Sequence, residues 1–76
     1  MYSLIKKPSL TPKEIEIVHL LCRGNSRKEI AYKLNIANGT VDTHLKHIFV
    51  KLNTRSMIET AIWGLENKAP SFPSPD

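Results

Sequence analysis

The chain is 76 residues long, 41% hydrophobic and 24% charged, which fits one small domain near the lower limit at which a single core suffices. Eleven Lys and Arg against seven Asp and Glu give a net charge of +4, compatible with a polyanionic partner but weak evidence by itself. One cysteine, Cys22, excludes an internal disulfide and favours a reducing compartment, and no apolar run approaches the ~20 residues of a membrane span.

Residues 1–9 read as a flexible lead-in without the charge order of a signal peptide. A helix over about 12–23 follows. Thr11 caps it, Pro12 suits its first position, Glu14 completes a capping box, and Leu10 and Ile15 form a hydrophobic staple. Arg23 favours its end and Gly24 takes a left-handed position just beyond. Ser26 and Glu29 repeat the box for a helix over about 27–34, with Ile30, Ala31 and Leu34 on one face. Asn35 to Gly39 is a polar turn around Ile36. Val41, His44, Leu45, Ile48 and Leu52 then repeat at three and four through a helix over 38–52, for which Asn38 is the expected cap. Ser56 and Glu59 supply a third box for a helix over about 57–67. Ile58, Ala61, Ile62 and Leu65 form its apolar stripe, with Thr60 and Gly64 on a neighbouring face suited to close packing. The Pro/Ser tail over 68–76 is expected to be disordered. Residues 10–67 therefore form the domain, all-α with four helices.

A short helix, a tight turn and a longer helix make a helix-turn-helix, whose second helix can enter a DNA major groove. The motifs behind that reading are Leu10-Thr11-x-x-Glu14, Leu20-Leu21-x-x-Gly24, Lys28-Glu29-Ile30-Ala31-x-x-Leu34-x-Ile36, Thr40-Val41-x-x-His44-Leu45-x-x-Ile48 and Lys51-Leu52. In combination they resemble the LuxR-type (GerE-like) helix-turn-helix family, and Glu59 to Trp63 is similar to the last helix of its NarL-like branch. The resemblance implies a four-helix DNA-binding domain that reads the major groove with the third helix and dimerises through the fourth. Four positions depart from the family pattern. Asp42 stands where Lys or Arg is usual, Arg27 where Asn is common, Ala37 where a capping Ser is usual, and Met57 where Arg is frequent.

With Val41, Leu45, Ile48 and Leu52 facing the core, the base-facing candidates are Asn38, Asp42, Thr43, Lys46 and His47. Thr43 suits a thymine methyl, Lys46 guanine O6 and N7, and Asp42, an acceptor only, cytosine N4. Arg27, Lys28, Thr40 and Lys51 are the phosphate candidates, helped by the N-terminal amides of the second helix. His44, at the edge of the apolar face, reads as a packed imidazole. Ile58, Ile62, Trp63 and Leu65 offer more apolar surface than one stripe needs and are the candidate homodimer interface, weak in solution and favoured on DNA.

No nucleophile–base pair, glycine-rich phosphate loop or metal-ligand spacing is present, so neither an enzyme nor a cofactor, metal or small-molecule ligand is expected. The resulting function is a bacterial, cytoplasmic, nucleoid-associated transcriptional regulator that binds double-stranded DNA. Met1 and the lack of a long linker tilt toward a free-standing regulator over an excised C-terminal domain. Asp42 and Ala37 support a rival of another class: an interaction module that pairs its fourth helix with a related LuxR-type regulator and binds DNA weakly itself.

Overall fold

The computed structural model describes residues 9–67. Four helices follow in order: α1 (Pro12–Cys22), α2 (Arg27–Leu34), α3 (Asn38–Leu52) and α4 (Met57–Asn67). The all-α, four-helix expectation is met, with α1 one residue shorter than expected. The lead-in before Ser9 and the Pro/Ser tail lie outside the described residues.

Local chemistry explains where each helix begins. At α1 the Glu14 N–H donates to Thr11 Oγ1 (3.1 Å) and the Thr11 N–H to Glu14 Oε1 (2.9 Å). At α2 the same reciprocal box joins Ser26 and Glu29, at 2.7 and 3.1 Å. The third box closes differently. Ser56 Oγ accepts from the Glu59 N–H, but the Glu59 carboxylate takes the N–H of Arg55, one residue earlier than a box requires. The expected cap of α3 is also corrected. Ala37, with φ −72° and ψ 153°, occupies the cap position and makes no side-chain bond, while Asn38 is already the first helical residue.

Three helices end in the same way. Gly24 (φ 88°), Asn35 (φ 58°) and Asn53 (φ 57°) are left-handed, the conformation that glycine and asparagine tolerate best. The next N–H then reaches back five residues: Asn25 to Leu20 O, Ile36 to Ala31 O, and Thr54 to Phe49 O, each at 3.0 Å. These bonds satisfy carbonyls that a helix end leaves unpaired. The α2 ending also keeps the turn before α3 short.

One core unites the helices, built on Ile17, Val18 and Leu21 of α1, Ile30 and Ala31 of α2, and Val41, Leu45, Ile48 and Leu52 of α3. Helix α4 packs through its small residues, as expected for that face. Its buried residues are Thr60 and Gly64, whereas Ile58, Ile62 and Leu65 are 74, 47 and 65% exposed. Small side chains let the α4 backbone come close to α1, where Cys22 Sγ lies 3.5 Å from Ala61 O. The hydroxyl of buried Thr60 donates to Ser56 O (2.9 Å) and meets Thr54 Oγ1 (2.8 Å), so its polarity is satisfied. The apolar stripe of α4 is thus left facing outward, and Met57, Ala61 and Trp63 complete its inner side.

Candidate nucleic-acid interface

Helix α3 is a two-sided rod. Val41, Leu45, Ile48 and Leu52 are at most 7% exposed, while Asn38, Gly39, Thr40, Thr43, Lys46 and His47 lie on the surface. The division follows the helical period, because positions three or four apart share a face. Thr43 Oγ1 donates to Gly39 O at 3.1 Å, which uses its proton and leaves its methyl group and oxygen lone pairs to a neighbour. Lys46 and His47 add donors one turn further on.

A residue outside the expected set extends this face. Val50 is 80% exposed and lies three and four positions beyond His47 and Lys46. Its signal in the sequence was an apolar residue standing off the Val41–Leu45–Ile48–Leu52 row. His44, at the edge of the core face, is half-buried and close enough to Glu14 to influence its charge.

The charged candidates fall into two groups. Lys28, Lys46 and His47 are exposed. Arg27, Asp42 and Lys51 are already engaged within the protein. Arg27 Nη1 donates to Asp42 Oδ1 at 2.7 Å, across the α2–α3 junction, with 57 and 44% of the two side chains exposed. Lys51 Nζ donates to Glu14 Oε1 at 2.8 Å and to Ser9 O at 3.1 Å. Sequence reasoning placed Arg27 on a phosphate and Asp42 on a base, and did not find their contact. The two lie fifteen residues apart, and only the crossing of α2 over the start of α3 unites them.

Glu14 is 2% exposed and sits beneath Lys51. Burial acts to raise its pKa, but the Lys51 hydrogen bond, the Thr11 amide and the charges of Lys51 and His44 outweigh it, so the carboxyl lies below its ordinary value. The carboxylate thus couples the start of α1 to the end of α3.

On α4, Ile58, Ile62 and Leu65 are the exposed members of the expected dimer surface. Trp63 is half-buried against the core, so most of its ring serves the fold. Three apolar residues at i, i+4 and i+7 on one exposed face are unusual for an isolated small domain.

The sequence matches the family model described as bacterial regulatory proteins, luxR family, over residues 8–63. It is 41% identical over 54 residues to the nitrate/nitrite response regulator protein NarL of Escherichia coli, covering 71% of this chain and 25% of that protein. It is 39% identical over 59 residues to the nitrate/nitrite response regulator protein NarP of Escherichia coli (78 and 27%). With the oxygen regulatory protein NreC of Staphylococcus carnosus it shares 40% over 63 residues (83 and 29%). The chain therefore spans about a quarter of the length of these relatives. The four-helix fold, the exposed polar face of α3 and these matches agree, and the chain belongs to the luxR family of bacterial regulatory proteins as a LuxR-type helix-turn-helix DNA-binding domain.

Proposed function

We propose that this domain is a sequence-specific, double-stranded-DNA-binding transcriptional regulator of the bacterial cytoplasm, associated with the nucleoid. Helix α3 enters the major groove, and α4 joins two copies on the DNA. One observation carries this reading: Thr43, Lys46 and His47 are exposed together on α3 while its opposite face is buried. A rod of that kind can lie along a duplex without rearranging the core.

Within the groove Thr43 meets a thymine methyl, Lys46 meets guanine O6 and N7, and Asn38 and His47 flank them. Lys28 and Thr40 take phosphates with the N-terminal amides of α2. Lys51 spends two of its donors on Glu14 and Ser9, which leaves one N–H for a phosphate and makes its first task the orientation of α3. The exposed Ile58, Ile62 and Leu65 suit a two-fold contact with a second copy, with the rim of Trp63 beside them. Such a contact between single helices buries less than ~1,000 Å² and is weak until two half-sites tether the copies.

Asp42 is the feature that favours the rival, an interaction module that pairs with a related regulator. Its ion pair with Arg27 neutralises the charge that would repel phosphate, and this supports DNA binding instead.

A mobility-shift titration of the chain against genomic fragments at low salt tests the proposal. Retarded complexes that survive excess competitor DNA are expected. Absence of any complex at low salt, together with complex formation by Asp42→Lys, would establish the rival.

A further inference from the structure

We infer that Arg27 and Asp42 act as one base-reading unit, which takes a G·C pair in the major groove; this rests on the DNA-binding reading above. The expectation from each residue alone was a phosphate for Arg27 and a base for Asp42. Their 2.7 Å contact changes both roles, because each now limits where the other can point.

The pair leaves most of its hydrogen-bonding capacity unused. Arg27 contributes one N–H of the five on its guanidinium, and Asp42 accepts on Oδ1, leaving Oδ2 free. Both side chains stay near half exposed, between a cleft lined by Lys28 and Asn38 and another lined by Lys46 and Phe49. An exposed ion pair adds little to stability, so its consequence is positional. Asp42 lies in the first turn of α3, the part of such a helix that approaches base edges. The guanidinium of Arg27 is thereby held beside that turn.

The combination has a specific complement. A guanidinium next to a free carboxylate oxygen offers donors beside an acceptor. The major-groove edge of a G·C pair offers N7 and O6 as acceptors beside the N4 amino donor. A phosphate offers acceptors only and would leave Asp42 Oδ2 without a donor. An A·T pair offers the guanidinium one purine acceptor, adenine N7, beside the N6 donor, whereas guanine offers two, N7 and O6, so the bidentate reach of Arg27 favours G·C. In the G·C case Arg27 donates to guanine while Asp42 Oδ2 accepts from cytosine N4, and the Arg27–Asp42 bond need not break.

The test is selection from randomised duplexes with the full chain and with Asp42→Ala, Asp42→Asn, Arg27→Ala and Arg27→Lys, each followed by a salt titration on the selected site. Wild type is expected to require G·C at one position of each half-site. Asp42→Ala and both Arg27 variants should relax that same position by roughly tenfold. Asp42→Asn should move it toward A·T, since an amide pairs with adenine N6 and N7. Asp42→Ala should also steepen the log–log salt slope by about 0.9, as the released Arg27 neutralises a phosphate. The inference is overturned if the two residues control different positions, or if either alanine variant keeps the wild-type preference. A wild-type chain that selects no sequence defeats the DNA-binding reading and this inference with it. A consensus untouched by the substitutions defeats the pair alone.

Discussion

Lys51 Nζ lies 2.8 Å from Glu14 Oε1, so the last turn of α3 is bound to the first turn of α1 by charge. Glu14 serves two purposes at once, since the same oxygen accepts the Thr11 N–H that starts α1. Lys51 extends the tie to Ser9 O, just ahead of the domain's first helix. The orientation of α3 thus depends on a buried carboxylate and not only on its apolar side.

Substitution Glu14→Gln is expected to cost about 1.5–3 kcal/mol, the range for a hydrogen bond to a charged group. Because the carboxyl pKa is lowered in the folded state, its contribution is fully present above the ordinary value of 4.5 and is lost as pH falls through the lowered one. Urea unfolding between pH 7 and pH 3 checks this. The wild type should lose stability through that acid window, and the Gln variant should show a flatter profile from a lower starting point. A profile unchanged by the substitution would remove Glu14 from the acid response.

Lys46 and Lys28 should respond differently to truncation. Lys46→Ala is expected to weaken specific binding by about 1–3 kcal/mol and relax one base position. Lys28→Ala should weaken all sequences about equally and reduce the salt slope by about 1. Binding isotherms on specific and scrambled duplexes at several salt concentrations separate the two. Loss of affinity without loss of preference in the Lys46 variant would move that side chain to a phosphate.

The outward-facing apolar residues of α4 lead to a third prediction. Ile58→Asp and Leu65→Asp alter side chains that are 74 and 65% exposed, so melting temperature should hardly change. Binding to a duplex with two half-sites should nevertheless lose its cooperativity, while binding to a single half-site is retained. Analytical ultracentrifugation of the free chain should show monomer at micromolar concentration. A stable free dimer would contradict the small contact inferred for α4.

The fold was legible from residues whose chemistry is local. Thr11, Ser26, Gly24 and the Val41–Leu45–Ile48–Leu52 row announce starts, stops and faces within one or two turns, and the helices fall where those signals put them. Helix α4 was legible in part. Its apolar residues outnumber what one packed stripe needs, which marked Ile58, Ile62 and Leu65 as spare surface and Thr60 and Gly64 as the face for close packing, and the structure buries the latter two. How Trp63 divides between core and surface was not legible, because that depends on how α4 lies on α1. The exposed face of α3 was legible as the complement of the core face, except for Val50, whose apolar character hides its exposure. Arg27–Asp42 and Lys51–Glu14 were not legible, because an ion pair between elements depends on how helices cross and leaves no spacing in the chain.

The start of α3 provides the last prediction. Ala37 already has the extended backbone of a helix cap, at φ −72° and ψ 153°, but lacks a side-chain acceptor. The Thr40 N–H compensates with a tight bond to Ala37 O at 3.0 Å. A serine at this position needs no backbone change, and its hydroxyl can accept an N–H of the first turn. Ala37→Ser should therefore add about 0.5–2 kcal/mol. In a domain of this size each kcal/mol raises the melting temperature by roughly 4–8 °C. Thermal unfolding followed by circular dichroism measures the gain, and amide exchange at Asn38 to Val41 locates it. Slower exchange confined to those amides would show that α3 in the free protein frays at the end closest to Asp42. DNA affinity should then rise with stability, because less ordering remains to be completed on binding. A higher melting temperature with unchanged affinity would mean that the first turn is already formed before the duplex arrives.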